Sequence, residues 1–260
     1  MDFLKIANNI KKDGYIILPN FFTKEELQNL KKSLLDTLNY IDNDSEKDLQ
    51  KKYYQIKKDY PKLKSHWYDI APHNITLTKL LHKSSILEII KCFFNSEVLF
   101  SGRPCIHVHD VDNDTLLAPH QETKQFARDN IVLWTPLFDT SPKKGTGGLA
   151  IYEKSHTHGY FEHSLDTPKD KKVWTKDYTH VKDNKVIQKF KRKELEINAG
   201  SLVLLHSALI HNGYPTSKEG FVRITITERF NPLQKIPFLK DENAPLKIPY
   251  VGVDYNKITE

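Results

Sequence analysis

The chain is poor in cysteine. Cys92 and Cys105 are its only two, too few for a disulfide framework and without the spacing of a zinc ribbon. Both are expected as reduced thiols. No apolar run approaches the roughly 20 residues of a membrane-spanning helix. The opening Met1-Asp2-Phe3-Leu4-Lys5 lacks the basic stretch and apolar segment of a secretory signal. These absences predict a cytoplasmic protein with no membrane partner. Arginine is also scarce: 5 against 34 lysines, in a chain of net charge +6. Nucleic-acid readers depend on arginine for bidentate base contacts, so scattered lysine argues against a nucleic-acid partner. With lysine the default cation, Arg103, Arg128, Arg192, Arg223 and Arg229 mark places where a planar fork is needed.

At 260 residues with an ordinary hydrophobic fraction of 38%, the chain fits a single domain, 1–260, with a substantial core. Residues 2–12 predict an amphipathic helix stopped by Gly14, followed by a buried strand at Tyr15-Ile16-Ile17-Leu18. Thr23-Lys24-Glu25-Glu26 is a capping box. The helix it opens places Leu27, Leu30, Leu34, Leu35 and Leu38 on one face. Residues 41–66 are charged and predict a polar, peripheral insertion with an exposed helix around Glu46–Lys58. Residues 76–94 predict helix with a break near Ser84-Ser85.

From Val98 the pattern changes to short strands: Val98–Gly102, Cys105–His109, Leu116–His120, Ile131–Phe138, Leu149–Tyr152, Val186–Lys189, Leu195–Ile197, Leu202–Leu205 and Val222–Phe230. Turn residues separate them, among them Gly145-Thr146-Gly147-Gly148 and Asn198-Ala199-Gly200. Many short strands with such turns predict a sandwich, barrel or jelly roll. Helices first and strands second predict helices packed on one sheet. The tail 232–260 reads as irregular.

Two imidazoles and a carboxylate make the facial triad that holds non-heme Fe(II). His120-Gln121-Glu122 supplies one histidine and the acid, since residues i and i+2 of an extended segment point the same way. With 12 histidines and 33 acids in the chain, about 1.5 His-x-acid triplets arise by chance, so the triplet needs its context. His211 follows a strand and precedes Asn212-Gly213, read as a turn; His206 lies nearer the strand. Spacing alone leaves both open as the second histidine. On the last strand Arg223, Thr225, Thr227 and Arg229 alternate with Val222, Ile224 and Ile226. An inward arginine needs an anionic partner. A small diacid gripped by Arg223, with Thr225 adding a hydroxyl, would satisfy it; an exposed edge strand with surface arginines is the other reading.

In this order the residues resemble the phytanoyl-CoA dioxygenase family of Fe(II)/2-oxoglutarate oxygenases, over about residues 10–232. The resemblance runs through Asp13-Gly14-Tyr15-Ile16-Ile17-Leu18-Pro19-Asn20-Phe21-Phe22, His120-Gln121-Glu122, Trp134-Thr135-Pro136-Leu137-Phe138-Asp139-Thr140, Gly147-Gly148-Leu149 and Ser155-His156. It closes with Gly200-Ser201-Leu202-Val203-Leu204-Leu205-His206, His211 and Arg223-Ile224-Thr225. It implies a double-stranded β-helix, a cupin-like jelly roll that is mainly β with flanking helices. It implies His120, Glu122 and His211 as the iron ligands, favouring His211 over His206. It further implies Arg223 and Thr225 on the far carboxylate of 2-oxoglutarate, with Trp134 and His107 near that co-substrate. Fe(II), 2-oxoglutarate and O2 are the cofactors it implies, with succinate and CO2 released as a substrate C–H bond is oxidised.

Two departures stand out. Glu122 replaces the family's commoner aspartate, and Glu153-Lys154 precede Ser155-His156 where relatives have Pro-Gly. A carboxylate at 122 argues against the halogenating branch, which lacks it. Other readings are a cupin-like metalloenzyme without 2-oxoglutarate, an inactive metal- or ligand-binding jelly roll, and, from charge alone, a nucleic-acid-binding domain. Trp67, Tyr68, Arg103, Gln121, Phe126, Tyr160 and Trp174 are the candidate substrate contacts. Their mixture of aromatic and polar groups points to a small polar metabolite or sugar as substrate.

Overall fold

A computed structural model describes residues 1–42, 45–62, 70–97, 99–102, 104–112, 116–122, 130–164 and 180–232. The chain begins with helix α1 (Phe3–Asp13), capped by the Asp2 side chain and ended by Gly14 at φ +84°. Only glycine suits that position. The left-handed backbone disfavours a side chain, and a Cβ would meet His156 Nδ1 at 2.5 Å. Strand β1 (Tyr15–Leu18) follows, then α2 (Lys24–Ile41), whose Thr23–Glu26 capping box forms as the sequence predicts.

Helix α3 (Leu49–Asp59) corrects an expectation. It lies within the polar stretch 41–66, yet it is not exposed: Leu49, Tyr53 and Ile56 enter the main core. Gln50 Nε2 donates to the Val222 carbonyl, Tyr54 Oη to the Phe221 carbonyl, and Lys57 Nζ pairs with the buried Asp110 at 2.8 Å. The spacing of 49, 53 and 56 is helical, but the surrounding lysines obscured it. Helices α4 (Ile75–Leu81) and α5 (Ser84–Phe94) match the predicted helix and its break.

Eleven strands are seen among the described residues. After β1 come β2 (Leu99–Ser101), β3 (Cys105–His109), β4 (Ile131–Pro136), β5 (Thr146–Tyr152), β6 (His163–Ser164) and β7 (His180–Val181). They continue as β8 (Arg192–Glu194), β9 (Leu202–His206), β10 (His211–Thr216) and β11 (Arg223–Pro232). One antiparallel sheet has the order β1-β9-β4-β11-β2, with β3 also paired to β11; the opposing sheet is β10-β5-β8. The helices cover the outer face of the large sheet through Ile106, Val108, Leu133, Leu204, Ile224 and Ile226. On its inner face Val132, Trp134, Val203 and Leu205 pack against Leu149 and Ile151 of the small sheet. This is the jelly roll with helices on one sheet.

Several local expectations fail. Val186–Lys189 is not a strand: Asp183 accepts a hydrogen bond from Lys185 N and caps the short helix α6 (Asn184–Ile187). Segment 116–120 forms isolated bridges rather than a strand. The edge strand near 195–197 lies earlier, at β8. Asn212-Gly213 is no turn, because β10 runs through it and pairs with β5. Gly213 is there for closeness, since a Cβ would stand 2.8 Å from Leu116 Cδ2. The tail expected to be irregular lies outside the described residues beyond 232.

Candidate active site

The pocket lies between the two sheets. Its walls include His107 and His109 of β3, Trp134 of β4, Gly148 of β5, and the Arg223, Thr225, Thr227 and Arg229 face of β11. The alternation read from the sequence thus sorts β11 correctly. Its odd-numbered polar residues face the pocket, and Ile224, Ile226 and Phe230 face the helices.

His120, Glu122 and His211 meet at one end of this pocket, all buried, with one ligand atom from each within 4.8 Å of the others. Backbone pairing brings them together. His120 and His211 exchange both N–H···O bonds at 3.0 Å, and Glu122 N donates to the Ser207 carbonyl. Glu122 Oε1 lies 3.8 Å from His120 Nε2 and 3.6 Å from His211 Nε2.

The tautomers follow from the outer contacts. His120 Nδ1 is 2.7 Å from the Ala118 carbonyl, and His211 Nδ1 is 2.9 Å from the Leu209 carbonyl. A carbonyl only accepts, so each Nδ1 carries a proton, and Nε2 is the ring nitrogen that each histidine turns toward Glu122 and the pocket. Burial holds the His120 pKa below its usual value, aided by His211. Burial alone would raise Glu122, but Arg229 and the two imidazoles hold it well below the usual carboxylate range. Two imidazole Nε2 atoms and a carboxylate, converging in a buried site, suit a divalent cation.

His206, the rival, is excluded from this cluster. It lies on β9 with Leu202 and Leu204, which face the helices. It packs on Phe93 and His156 at 5.7 and 5.6 Å, and its Nδ1 accepts from Ala208 N. Residues 207–210 then turn the chain so that His211 enters the pocket.

Arg223 is buried, at 3% exposed. Its Nη1 donates to the Gly148 and Tyr214 carbonyls at 2.7 and 3.2 Å. Among the described residues no carboxylate pairs with it, and its Nε has no partner. Burial lowers its pKa to about 10, so it remains a cation near neutrality. A buried guanidinium with spare donors facing a pocket suits an anionic ligand. Thr225 lies beside it, in register with His107. His109, opposite Arg223 in the same ladder, is buried with Nδ1 unsatisfied; burial, then Arg223, hold it neutral. His107 contacts Thr227 Oγ1 at 3.1 Å, and burial with Arg229 pushes it down to about 3.

The sequence marks Arg229 by its rarity and by its place on the polar face of the last strand, and gives it no partner. Its Nη2 donates to Glu122 Oε1 at 2.9 Å and its Nη1 to Thr227 Oγ1 at 2.9 Å. The shared parity of 223 and 229 was the one signal available. Gln121, expected as a substrate contact, points away from the pocket. Its Nε2 donates to the Ala208 and Gly159 carbonyls, and its Oε1 accepts from Phe161 N. Tyr160 likewise bonds Ser207 Oγ through its hydroxyl and is not a pocket wall. Trp67, Tyr68, Arg103, Phe126 and Trp174 lie outside the described residues.

The family model of phytanoyl-CoA dioxygenase matches residues 10–223. No curated protein matches in sequence. Among solved structures, the chain is similar to the 2-oxoglutarate-dependent carbocyclase SnoK of nogalamycin biosynthesis. That match has a TM-score of 0.60 at 13% identity, covering 88% of this chain and 83% of that one. It is similar to EctD of S. alaskensis, solved with 2-oxoglutarate and 5-hydroxyectoine: TM-score 0.60, 12% identity, 89% and 76% covered. The epimerase SnoN, from nogalamycin biosynthesis, matches with a TM-score of 0.55 at 15% identity, covering 97% and 91%. At these identities the likeness establishes a shared fold.

Proposed function

As the chain belongs to the phytanoyl-CoA dioxygenase family of iron- and 2-oxoglutarate-dependent oxygenases, we propose that it hydroxylates, or otherwise oxidises at C–H, a small polar molecule. Succinate and CO2 are the co-products. His120, Glu122 and His211 hold the iron; Arg223, with Thr225, grips the far carboxylate of 2-oxoglutarate; Trp134 and His107 flank it. The observation that carries this reading is one pocket holding both a buried His–Glu–His cluster and a buried guanidinium with no acidic partner among the described residues. A metalloenzyme that used no diacid would leave that cation uncompensated. The whole chain is read as one catalytic domain, and its two free cysteines accord with a reducing, cytoplasmic setting.

When bound, iron and 2-oxoglutarate supply the oxidising chemistry. The chain's own residues orient and protect. The Ala118 and Leu209 carbonyls fix the two imidazole rings and their tautomers. Arg223 sets the depth and direction of the co-substrate through its fork. Leu116, Val132, Leu149 and Leu205 give the same space an apolar part of its lining. Glu122 would supply a third protein ligand, leaving no vacant position for halide, which favours C–H oxidation over halogenation.

The test is anaerobic addition of 2-oxoglutarate to the Fe(II) protein. A visible charge-transfer absorption from keto chelation is expected, followed in air by substrate-stimulated succinate across a library of polar metabolites. Absence of the absorption, with iron bound, would remove 2-oxoglutarate from the proposal.

A further inference from the structure

Glu122 is one methylene longer than the aspartate commoner at its position, so its carboxylate has one more rotatable bond to fix. In this fold that carboxylate is not left to the metal alone. Arg229 Nη2 reaches Glu122 Oε1 at 2.9 Å, the same oxygen that faces both imidazoles. Arg229 is itself held: Nη1 donates to Thr227 Oγ1 at 2.9 Å, and Thr227 Oγ1 lies 3.1 Å from His107 Nε2. Arg229, Thr227 and His107 belong to paired strands of the large sheet, with Thr227 opposite both Cys105 and Trp134. Glu122 sits on the segment that crosses from the other side, where its backbone hydrogen-bonds Ser207. A continuous line of side-chain contacts therefore ties the carboxylate to the rigid wall of the pocket.

We propose that Arg229 is a positioning residue for the iron's carboxylate ligand, with Thr227 and His107 as its support. By donating to Oε1, the oxygen that faces both imidazoles, Arg229 restrains Glu122 to one rotamer with that oxygen turned toward the metal site. An unrestrained glutamate would be free to turn its carboxylate into space the co-substrate needs. The guanidinium also balances the Glu122 charge where both side chains are buried. Groups that orient a metal ligand commonly change affinity or activity by about ten- to a hundredfold when removed. This proposal rests on the assignment of Glu122 as a ligand and deepens it.

The experiment uses the full chain with Co(II) as the probe, because its d–d spectrum reports coordination number and geometry without turnover. The parent must bind one Co(II), and His120→Ala and His211→Ala must lose it; failure there would sink the ligand assignment, not this inference alone. Arg229→Met, Arg229→Lys and Thr227→Val are then compared, each checked for native circular dichroism. We expect Arg229→Met to shift the d–d envelope and to weaken 2-oxoglutarate binding to the Co(II) protein about tenfold or more. Arg229→Lys should recover part of both. Thr227→Val, which keeps the charge and loosens its hold, should move the spectrum in the same direction as Arg229→Met; it carries the test alone if Arg229→Met does not fold. In a cycle with Glu122→Asp, the two effects on 2-oxoglutarate affinity should be non-additive, because Arg229 acts through that carboxylate. Parental spectra in both Arg229→Met and Thr227→Val, or strict additivity with Glu122→Asp, would overturn the proposal.

Discussion

His120 and His211 are hydrogen-bonded neighbours in an antiparallel bridge, each donating its backbone N–H to the other's carbonyl at 3.0 Å. Their rings stand 4.4 Å apart between centroids. The spacing of the two imidazoles is therefore set by main-chain geometry, which is stiffer than any pair of side chains on separate loops. The same pairing carries Glu122 to Ser207 and brings the carboxylate into reach.

This relationship makes the metal prediction selective. His120→Ala and His211→Ala should each abolish stoichiometric Fe(II) binding, because two remaining ligands cannot hold a facial site. His206→Ala should retain it, since His206 faces Phe93 and His156. Iron content of the purified variants decides the matter. A His206 variant that loses iron while the His211 variant keeps it would reverse the assignment.

Arg223→Lys should weaken 2-oxoglutarate by about 1.5–3 kcal/mol, the scale of a charge-assisted hydrogen bond. A point charge cannot reproduce the fork. Lysine is preferred to alanine because it leaves a cation near the Gly148 and Tyr214 carbonyls that Arg223 now serves. Titration of the anaerobic Fe(II) protein, followed at the charge-transfer band, measures the loss; an unchanged dissociation constant would take Arg223 out of the co-substrate site.

Gln121→Ala should act on stability, not on recognition of the substrate. It strands the Ala208 and Gly159 carbonyls and the Phe161 N–H, which the Gln121 amide now satisfies. The Ala208 bond is the fully buried one of the three, and a buried group left unpaired costs about 1–3 kcal/mol. The melting temperature of the metal-free variant should fall by several degrees or more. A variant that melts like the parent would show that these bonds are dispensable.

Glu228 gives a pH signature independent of the metal. Its side chain is buried on the helix-facing side of β11 between Ile226 and Phe230, with Oε2 unsatisfied. Burial raises its pKa from 4.5 to about 8, although Arg229 opposes the shift. A raised folded pKa means the folded state binds the proton more tightly than the unfolded state does. That stabilisation is complete below 4.5 and lost as pH rises through about 8. Glu228→Gln cannot ionise and should escape the loss. The variant should gain melting temperature on the parent as pH goes from about 5.5 to 8.5. A constant difference across that range would place the titration elsewhere.

Much of this protein was legible before folding, for local reasons. The Thr23–Glu26 box, the Gly14 stop and the alternation along β11 depend on short-range sterics and periodicity, and all appear in the structure. His120 and Glu122 are close in sequence, so their shared direction could be read from strand geometry. What the sequence could not decide was nonlocal. His211 and His206 look alike in spacing; only the pairing of residue 211 with residue 120 brings one ring into the pocket and leaves the other under the helices. The contacts of Gln121 and Arg229 are hidden from the sequence for the same reason, because their partners come from distant segments. Helix α3 was obscured by its own lysines until the exits of β3 and the start of β11 supplied its partners. Asn212-Gly213 carries the chemistry of a turn, yet the ladder with β5 made it strand, since hydrogen bonds to a neighbouring strand outweigh a weak local preference. Local propensity thus settled the helix stops, the capping box and the polar face of β11, and long-range pairing settled strands such as β10 and which polar side chains meet.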